Sequence, residues 1–297
     1  MKFAFVREHR RRWPVSTICD VLEVSRGGYY SWRKRPPSPR KIRQQELLEK
    51  IRIAHRENQE LYGSPRVHRA LLIDGQSVSR NTVAKLMRQA KIRAKSRRRF
   101  IPRTTDSTHQ KPVADNKLNR DFSAGSMNNK WLADITYIPT DEGWLYLAAV
   151  LDCFSRRIVG WSMAEHLETD LAADALKMAL LQRRPDGREL LHHSDRGVQY
   201  ASEDYQHLLS AQGIEVSMSG RGDCYDNAMM ESFWATLKSE RVHQRSYATR
   251  EQARQSIFEY IEVFYNRKRL HSSLGYVSPN RSRRPREQFH LAPTECG

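Results

Sequence analysis

Apolar residues in the first hundred positions recur three and four apart. In "PVSTICDVLEVSRGGYYSWR" (14–33), Ile18, Val21 and Leu22 form one helical stripe, "EVS" makes a turn, and Tyr29 and Trp32 supply a second stripe. Ser16 and Ser25 are the expected N-caps, and the Gly27-Gly28 pair weakens the second helix. After the proline-rich "RPPSPRK" comes an amphipathic helix over 42–57, with Ile42, Leu47, Leu48, Ile51 and Ala54 on one face. A second helical pair follows in "VHRALLIDG" and "SVSRNTVAKLMRQAKI", where Ser79 is the expected cap and Val83, Leu86 and Met87 point inward.

Beyond residue 130 the period changes. "KWLADITYIPT", "GWLYLAAVLDCFS" and "RIVGWSMAE" are apolar runs rich in β-branched and aromatic residues, separated by short polar turns, which predicts an antiparallel meander. Then "TDLAADALKMALLQRR" is a helix, "RELLHHSD" a strand, "SEDYQHLLSAQG" a helix and "IEVSMS" a strand. "DNAMMESFWATLKSERV" and "TREQARQSIFEYIEVFYN" are two more helices. The pattern predicts an α/β domain with a mixed five-stranded sheet, preceded by an all-α region. Residues 101–126, polar and poor in large apolar side chains, read as a linker, and 281–297 as a basic tail.

The distribution of charge sharpens this division. The net charge is +17, yet residues 1–100 hold 26 Lys and Arg against 8 Asp and Glu, while residues 126–297 hold 21 against 23. A polycation interleaved with ordered apolar positions is the footprint of a phosphate-backbone binder, so double-stranded DNA is the expected partner. In the helix after Ser79 the outward set is Arg80, Asn81, Lys85 and Arg88. That layout fits a recognition helix, against the plainer reading of a basic surface helix. Residues 1–40 are expected to form a helix-turn-helix-like segment and 41–100 a basic DNA-binding domain. The four cysteines form no CxxC pair, and the N-terminus carries no secretory pattern. No apolar run nears the roughly 20 residues of a membrane helix. A cytoplasmic, nucleoid-associated protein is the resulting expectation.

Candidate chemistry centres on three acids. Asp134 interrupts an apolar strand, where a charge is costly unless paired or metal-bound. Asp195, in "HHSDRGVQY", follows the end of the fourth strand, where α/β sheets present their chemistry. Glu231 lies on a helix that otherwise buries Met230, Phe233, Trp234 and Leu237, with 35 residues between it and Asp195. Asn227 and Lys238, four before and seven after Glu231, share its face. Hard oxygen donors converging from separate elements suit metal-dependent phosphoryl transfer. Of the two histidines, His193 is the candidate DNA contact or support for the site and His192 the structural one, since neighbours on a strand face opposite ways. Asp152 ends a strand as a fourth acid, and Asp226 is the expected cap of the Glu231 helix.

The spacing Asp…Asp-(35)-Glu with a basic residue seven further on resembles the catalytic core of retroviral integrases and DDE transposases. "WLADITYI", "LDCFSRRIVGWSM", "HHSDRGVQY", "SMSGRGDCYDNAMMESFWATLKSE" and "YNRKRLHSSLGYVSP" together resemble the OrfB product of the IS-three family of bacterial insertion sequences, over nearly the whole chain. The resemblance implies a ribonuclease-H-like core over 127–280 with Asp134, Asp195 and Glu231 as the catalytic and metal-binding triad. It implies two Mg²⁺ (or Mn²⁺) ions about 3.5–4 Å apart, cleavage and strand transfer of DNA, and no covalent protein–DNA intermediate. It implies Lys238 on DNA phosphate and a homo-oligomer on DNA. In such elements an upstream frame supplies a leucine zipper. No sustained heptad occurs here, so the upstream OrfA product is a further expected partner. The competing readings are a catalytically silent DNA-binding regulator and a ribonuclease-H-like nuclease.

Overall fold

A computed structural model describes residues 1–95, 113–185, 189–220 and 224–283. Three helices open the chain: α1 (Lys2–His9), α2 (Val15–Val21) and α3 (Arg26–Lys34). They close over Val6, Ile18, Cys19 and Tyr29. Ser25 caps α3 by accepting the Gly28 amide at 3.0 Å. The glycine pair does not stop this helix, and it serves packing, since a Cβ on Gly28 would stand 3.1 Å from the Phe3 ring. Ser16 caps nothing, because Pro14 occupies the cap position of α2. α1 falls on residues whose apolar pattern had given no element.

Helices α4 (Pro39–Glu57), α5 (Ser64–Ile73) and α6 (Arg80–Gln89) form the second helical unit. Its interior holds Ile51, Ala54, Tyr62, Val67, Leu71, Val83, Leu86 and Met87, continuous with the core of the α/β domain. Ser79 caps α6 through the Thr82 amide at 3.2 Å. The Tyr62 hydroxyl donates to the Lys268 carbonyl at 3.2 Å and accepts the Leu270 amide at 2.8 Å, so this unit is fastened to the chain's far end.

The sheet has the order β3-β2-β1-β4-β5. β1 (Lys130–Thr140), β2 (Gly143–Asp152) and β3 (Ile158–Ala164) are the antiparallel meander, and β4 (Leu191–Ser194) and β5 (Glu215–Met218) add in parallel beside β1. One face packs on α7 (Thr169–Arg183) and α8 (Glu203–Ser210) through Trp131, Ala133, Ala148, Val150, Leu176 and Leu209. The other face buries Leu132, Ile138, Leu145 and Leu147 against α9 (Ala228–Glu240) and α10 (Arg250–Phe258), which continues as a π-helical stretch, Glu259–Tyr265. Gly160 lets α7 lie directly on β3, since a Cβ there would collide with the Ala175 carbonyl and Ala179. Asn266 covers the open edge of β3. Its side-chain amide accepts from the Ile158 N–H and donates to the Ile158 carbonyl, both at 3.0 Å, as a neighbouring strand would.

Of the expected linker, residues 101–112 lie outside the described residues. The part from 113 onward is docked on the sheet edge. Ser217 accepts the Lys117 and Leu118 amides at 2.9 and 3.2 Å, and Leu118 is buried. Asp226 accepts from Asn116 at 2.8 Å and from Arg120 at 3.3 Å. Asp226 therefore anchors this segment. The cap position of α9 belongs to Asn227, which corrects the expected role of Asp226. Most of the basic tail also lies outside the described residues.

Candidate active site

β1 and β4 run parallel, with Lys130–Ala133 opposite Leu191–Ser194. Pairing stops at Ala133 and Ser194, and the next residue on each strand is an aspartate. Asp134 and Asp195 thus stand at neighbouring positions where β1 loses its β4 partner but keeps β2. An α/β sheet opens its crevice at such a switch of connection. The Asp195 carboxylate is oriented by its own turn, accepting the Gly197 amide at 3.0 Å. A side chain on Gly197 would bring its Cβ 3.0 Å from that same oxygen, so glycine keeps the carboxylate accessible.

Helix α9 brings the third acid. Asn227 donates to the Ala133 carbonyl at 3.2 Å, pinning the start of the helix to β1. One turn past Glu231, the Trp234 indole N–H donates to Asp134 Oδ2 at 2.9 Å, and Oδ1 accepts the Ile135 amide at 2.8 Å. Glu231, Trp234 and Lys238 are spaced three and seven along one helical face, with the indole as the central contact to β1. Burial and then the Asp195 charge, with a smaller contribution from Glu231, push the Asp134 carboxyl up to about 7, against the two hydrogen bonds. Desolvated like charges raise one another in this way. The triad's oxygens do not close into one tight ligand set. Among the described residues the set whose ligand atoms lie within 4.8 Å of one another is His166, Glu168 and Asp170, all exposed at the entry to α7.

Lys238 is half-buried, with its ammonium 4.8 Å from the centre of the Tyr137 ring. Burial lowers its pKa, and the Asp134 charge opposes this. Sequence reasoning missed Trp234 and Tyr137 as parts of the site. Trp234 read as a core residue. The available signal was its place midway between Glu231 and Lys238, with an indole N–H that needs an acceptor when buried.

Two expected DNA contacts are corrected. His193 is fully buried, with its ring nitrogens 2.8 Å from Ser217 Oγ and 3.1 Å from Ser219 Oγ, leaving neither for a phosphate. Burial pushes it down to about 4, so it stays neutral and ties β4 to β5. Asn227 is 6% exposed and serves as the tether just described. His192 is structural, taking the Tyr205 hydroxyl at 3.0 Å. Asp152, fully buried, accepts the Ser155 amide and hydroxyl on one oxygen and the Asn128 amide on the other, which makes it a turn anchor. Arg80, Asn81, Lys85 and Arg88 are all exposed on α6.

Comparison with known proteins gives the family. Two models described as integrase core domain match residues 125–224 and 212–279, and an HTH-like domain model matches 42–100. An uncharacterized 31 kDa protein of insertion element IS600 from Shigella sonnei is 44% identical over 92% of this chain and 98% of its own length. Transposase InsF for insertion sequence IS3A from Escherichia coli (strain K12) is 42% identical over 94% of this chain and 97% of its own. Among solved structures, the HTLV-2 integrase catalytic core domain in complex with magnesium aligns over 55% of this chain and 100% of that one, at 12% identity and a TM-score of 0.42. With relatives this close over nearly its full length, the chain belongs to the InsF-type insertion-sequence transposases, DNA phosphoryl-transfer enzymes built on an integrase core.

Proposed function

We propose that Asp134, Asp195 and Glu231 are the catalytic carboxylates and hold two divalent ions, Mg²⁺ or Mn²⁺. The observation that carries this reading is the register: two aspartates at adjacent positions past the last β1–β4 pair, with the helix of Glu231 tied to Asp134 through Trp234. The donor set fits such ions, being hard oxygens from three elements, one of them held protonatable near neutrality by its neighbours. When bound, divalent cations lower the cost of the charge that builds on a phosphate undergoing in-line displacement.

The chain's own groups do the rest. Trp234 and the Ile135 amide fix the rotamer of Asp134, and the Gly197 amide fixes Asp195. Lys238 holds backbone phosphate beside the carboxylates. In cleavage a water oxygen bonds to phosphorus as the bond from phosphorus to the 3′ oxygen breaks, and that oxygen takes a proton and is left as a 3′-hydroxyl at an element end. Joining forms a bond from that hydroxyl to a target phosphorus and releases the target strand's 3′ oxygen as leaving group. Arg80, Asn81, Lys85 and Arg88 bring α6 into the groove of the element end, and residues 1–40 add a second helical contact. The protein works as a homo-oligomer on DNA, with the upstream OrfA product as partner in end recognition, in the cytoplasm and on the nucleoid.

The test is cleavage and strand transfer on DNA carrying the ends of the encoding element, with and without the upstream product. Asp134→Asn, Asp195→Asn and Glu231→Gln should each reduce joining by several orders of magnitude while duplex binding persists. Near-wild-type joining in Mg²⁺ by any one of them would remove that residue from the triad.

A further inference from the structure

Two exposed apolar surfaces far from the carboxylates in sequence carry opposite charge. On α1 the rings of Phe5, His9 and Trp13 recur every four residues and meet in series, with centres 4.1 and 5.8 Å apart. Phe5 and Trp13 are each 45% exposed. Trp13 continues the helical line, its amide donating to the His9 carbonyl at 3.2 Å. Arg10, Arg11 and Arg12 are exposed beside these rings, and the Arg12 guanidinium lies 4.9 Å from the centre of the Trp13 indole. The stripe is no part of the N-terminal unit's interior, which Val6, Ile18, Cys19 and Tyr29 close as a core of their own. Residues 35–38, with two adjacent prolines, join that unit to α4.

The counterpart lies on α10 and its π-helical continuation. Phe258 and Val263 are exposed and five positions apart, a spacing that π-helical bonding brings to one side. Helical stretches of this kind are rare and occur mostly at functional sites. Trp161 of β3 widens the patch, its ring edge-on to Phe258 with centres 5.9 Å apart. Glu262 accepts from that indole at 2.9 Å, Glu259 is exposed next to Phe258, and Glu251 is exposed two turns before it. The basic residue of the stretch, Arg254, is turned inward onto the Met163 carbonyl. The face is therefore apolar at its centre and acidic around it.

We propose that the α1 stripe of one copy of this chain seats on the α10 face of a second copy, and that the exchange is mutual. The inference names an interface for the homo-oligomer proposed above and rests on that reading. Phe5, His9 and Trp13 serve as the anchors of an amphipathic helix laid on an apolar surface. Arg10, Arg11 and Arg12 meet Glu251, Glu259 and Glu262, and this match of charge sets which way the helix lies. Duplex phosphates would take the arginines and leave Phe5 and Trp13 in water, so a surface both apolar and acidic is the better fit. Mutual exchange makes two equal contacts about a twofold axis and closes the assembly, whereas one-way exchange runs on into a ring or filament. With α1 occupied in this way, the exposed Arg26, Arg33 and Lys34 of α3 remain to face duplex.

The test is sedimentation velocity of the full chain, without DNA and on a blunt duplex in EDTA. Wild type should self-associate in both. Trp13→Ala and Phe258→Ala should each weaken association about 30-fold, as loss of an aromatic anchor does, with melting unchanged because both rings are exposed. Mixing the two variants should recover part of the association, since the intact α1 of one then meets the intact α10 face of the other. Unchanged association in both variants would overturn the proposal, and so would two weakened variants that fail to complement. Duplex affinity lost in Trp13→Ala with self-association intact would also overturn it and give the α1 stripe to DNA. A wild type that stays monomeric even on DNA would sink the homo-oligomer reading itself, whereas assembly indifferent to both rings would keep that reading and remove only this interface.

Discussion

Replacing Asp134 with asparagine should make the metal-free protein more stable. The raised carboxyl near 7, against an ordinary 3.8, means that folding at pH 8 holds a charge in a site that disfavours it. A rise from 3.8 to about 7 corresponds to about 4 kcal/mol at most. Asparagine removes the charge but cannot accept from both the Ile135 amide and the Trp234 indole as the carboxylate does. One unsatisfied donor returns about 1–2 kcal/mol, leaving a net gain of about 2 kcal/mol. For a domain of this size that raises the melting temperature by roughly 4–8 °C.

The pH dependence follows from linkage. The folded protein holds its proton up to about 7 and the unfolded chain releases it near 3.8. Stability from this group is therefore complete below pH 3.8 and is lost as pH rises to 7. The advantage of Asp134→Asn should be greatest at pH 8 in EDTA and should vanish or reverse near pH 4, where only the missing hydrogen bond remains. Thermal melts followed by tryptophan fluorescence provide the assay, with Trp234 itself among the reporters. Titrating Mg²⁺ should then stabilise wild type, by about 1.4 kcal/mol at ten times its dissociation constant, and move the variant little. A variant less stable than wild type at pH 8, or a difference that ignores pH, would refute the electrostatic account of the site.

Trp234→Phe keeps the ring and removes the N–H that Asp134 accepts. It should raise the Mg²⁺ concentration needed for joining by about 10- to 100-fold with melting little changed, and an unaltered Mg²⁺ profile would make Trp234 a packing residue only. Glu240→Gln should weaken the fold by about 3 kcal/mol in urea unfolding, because Arg269, bonded to it at 2.7 and 2.8 Å, would be left buried without its counter-charge. Changing Arg80, Asn81, Lys85 and Arg88 together to alanine should flatten the dependence of log affinity on log salt by about 0.9 for each phosphate that the protein no longer neutralises. A slope equal to that of wild type would leave α6 outside the interface.

The alternation of apolar runs gave the five strands and most helices, because period and burial are local properties. The Asp134 site was legible for the same reason, since a carboxylate inside "WLADITYI" has no place in a core. What could not be read was how distant segments meet. His193 looked available in "HHSDRGVQY", yet β5 supplies Ser217 and Ser219 to both its nitrogens. Asp226 looked like a helix cap, yet its partners Asn116 and Arg120 lie more than a hundred residues away. The docked part of the supposed linker is polar because Ser217 and Asp226 hold it, and composition alone cannot tell that from solvent exposure.

Helix α9 shows why those distant partners matter to function. Glu240 lies nine positions past Glu231, about 13.5 Å along the axis. At one end the helix carries a carboxylate of the cleft, in the middle Trp234 and Lys238, and at the other end Glu240. Glu240 takes the Tyr260 hydroxyl at 2.7 Å and Arg269, and it faces Arg66 of α5 at 3.6 Å. Tyr62, in the turn between α4 and α5 of the same helical unit, is bonded to residues 268 and 270 beside that cluster. Helices α4–α6 are thus held to the far end of the rod that carries Glu231. A helix of 13 residues packed along one face does not bend readily, so the separation between α6 and the carboxylates is set by the fold. On the proposed contact of α6 with duplex, DNA reaches the cleft at a fixed distance, and the scissile phosphate is then expected to be set by that length together with the sequence that α6 touches.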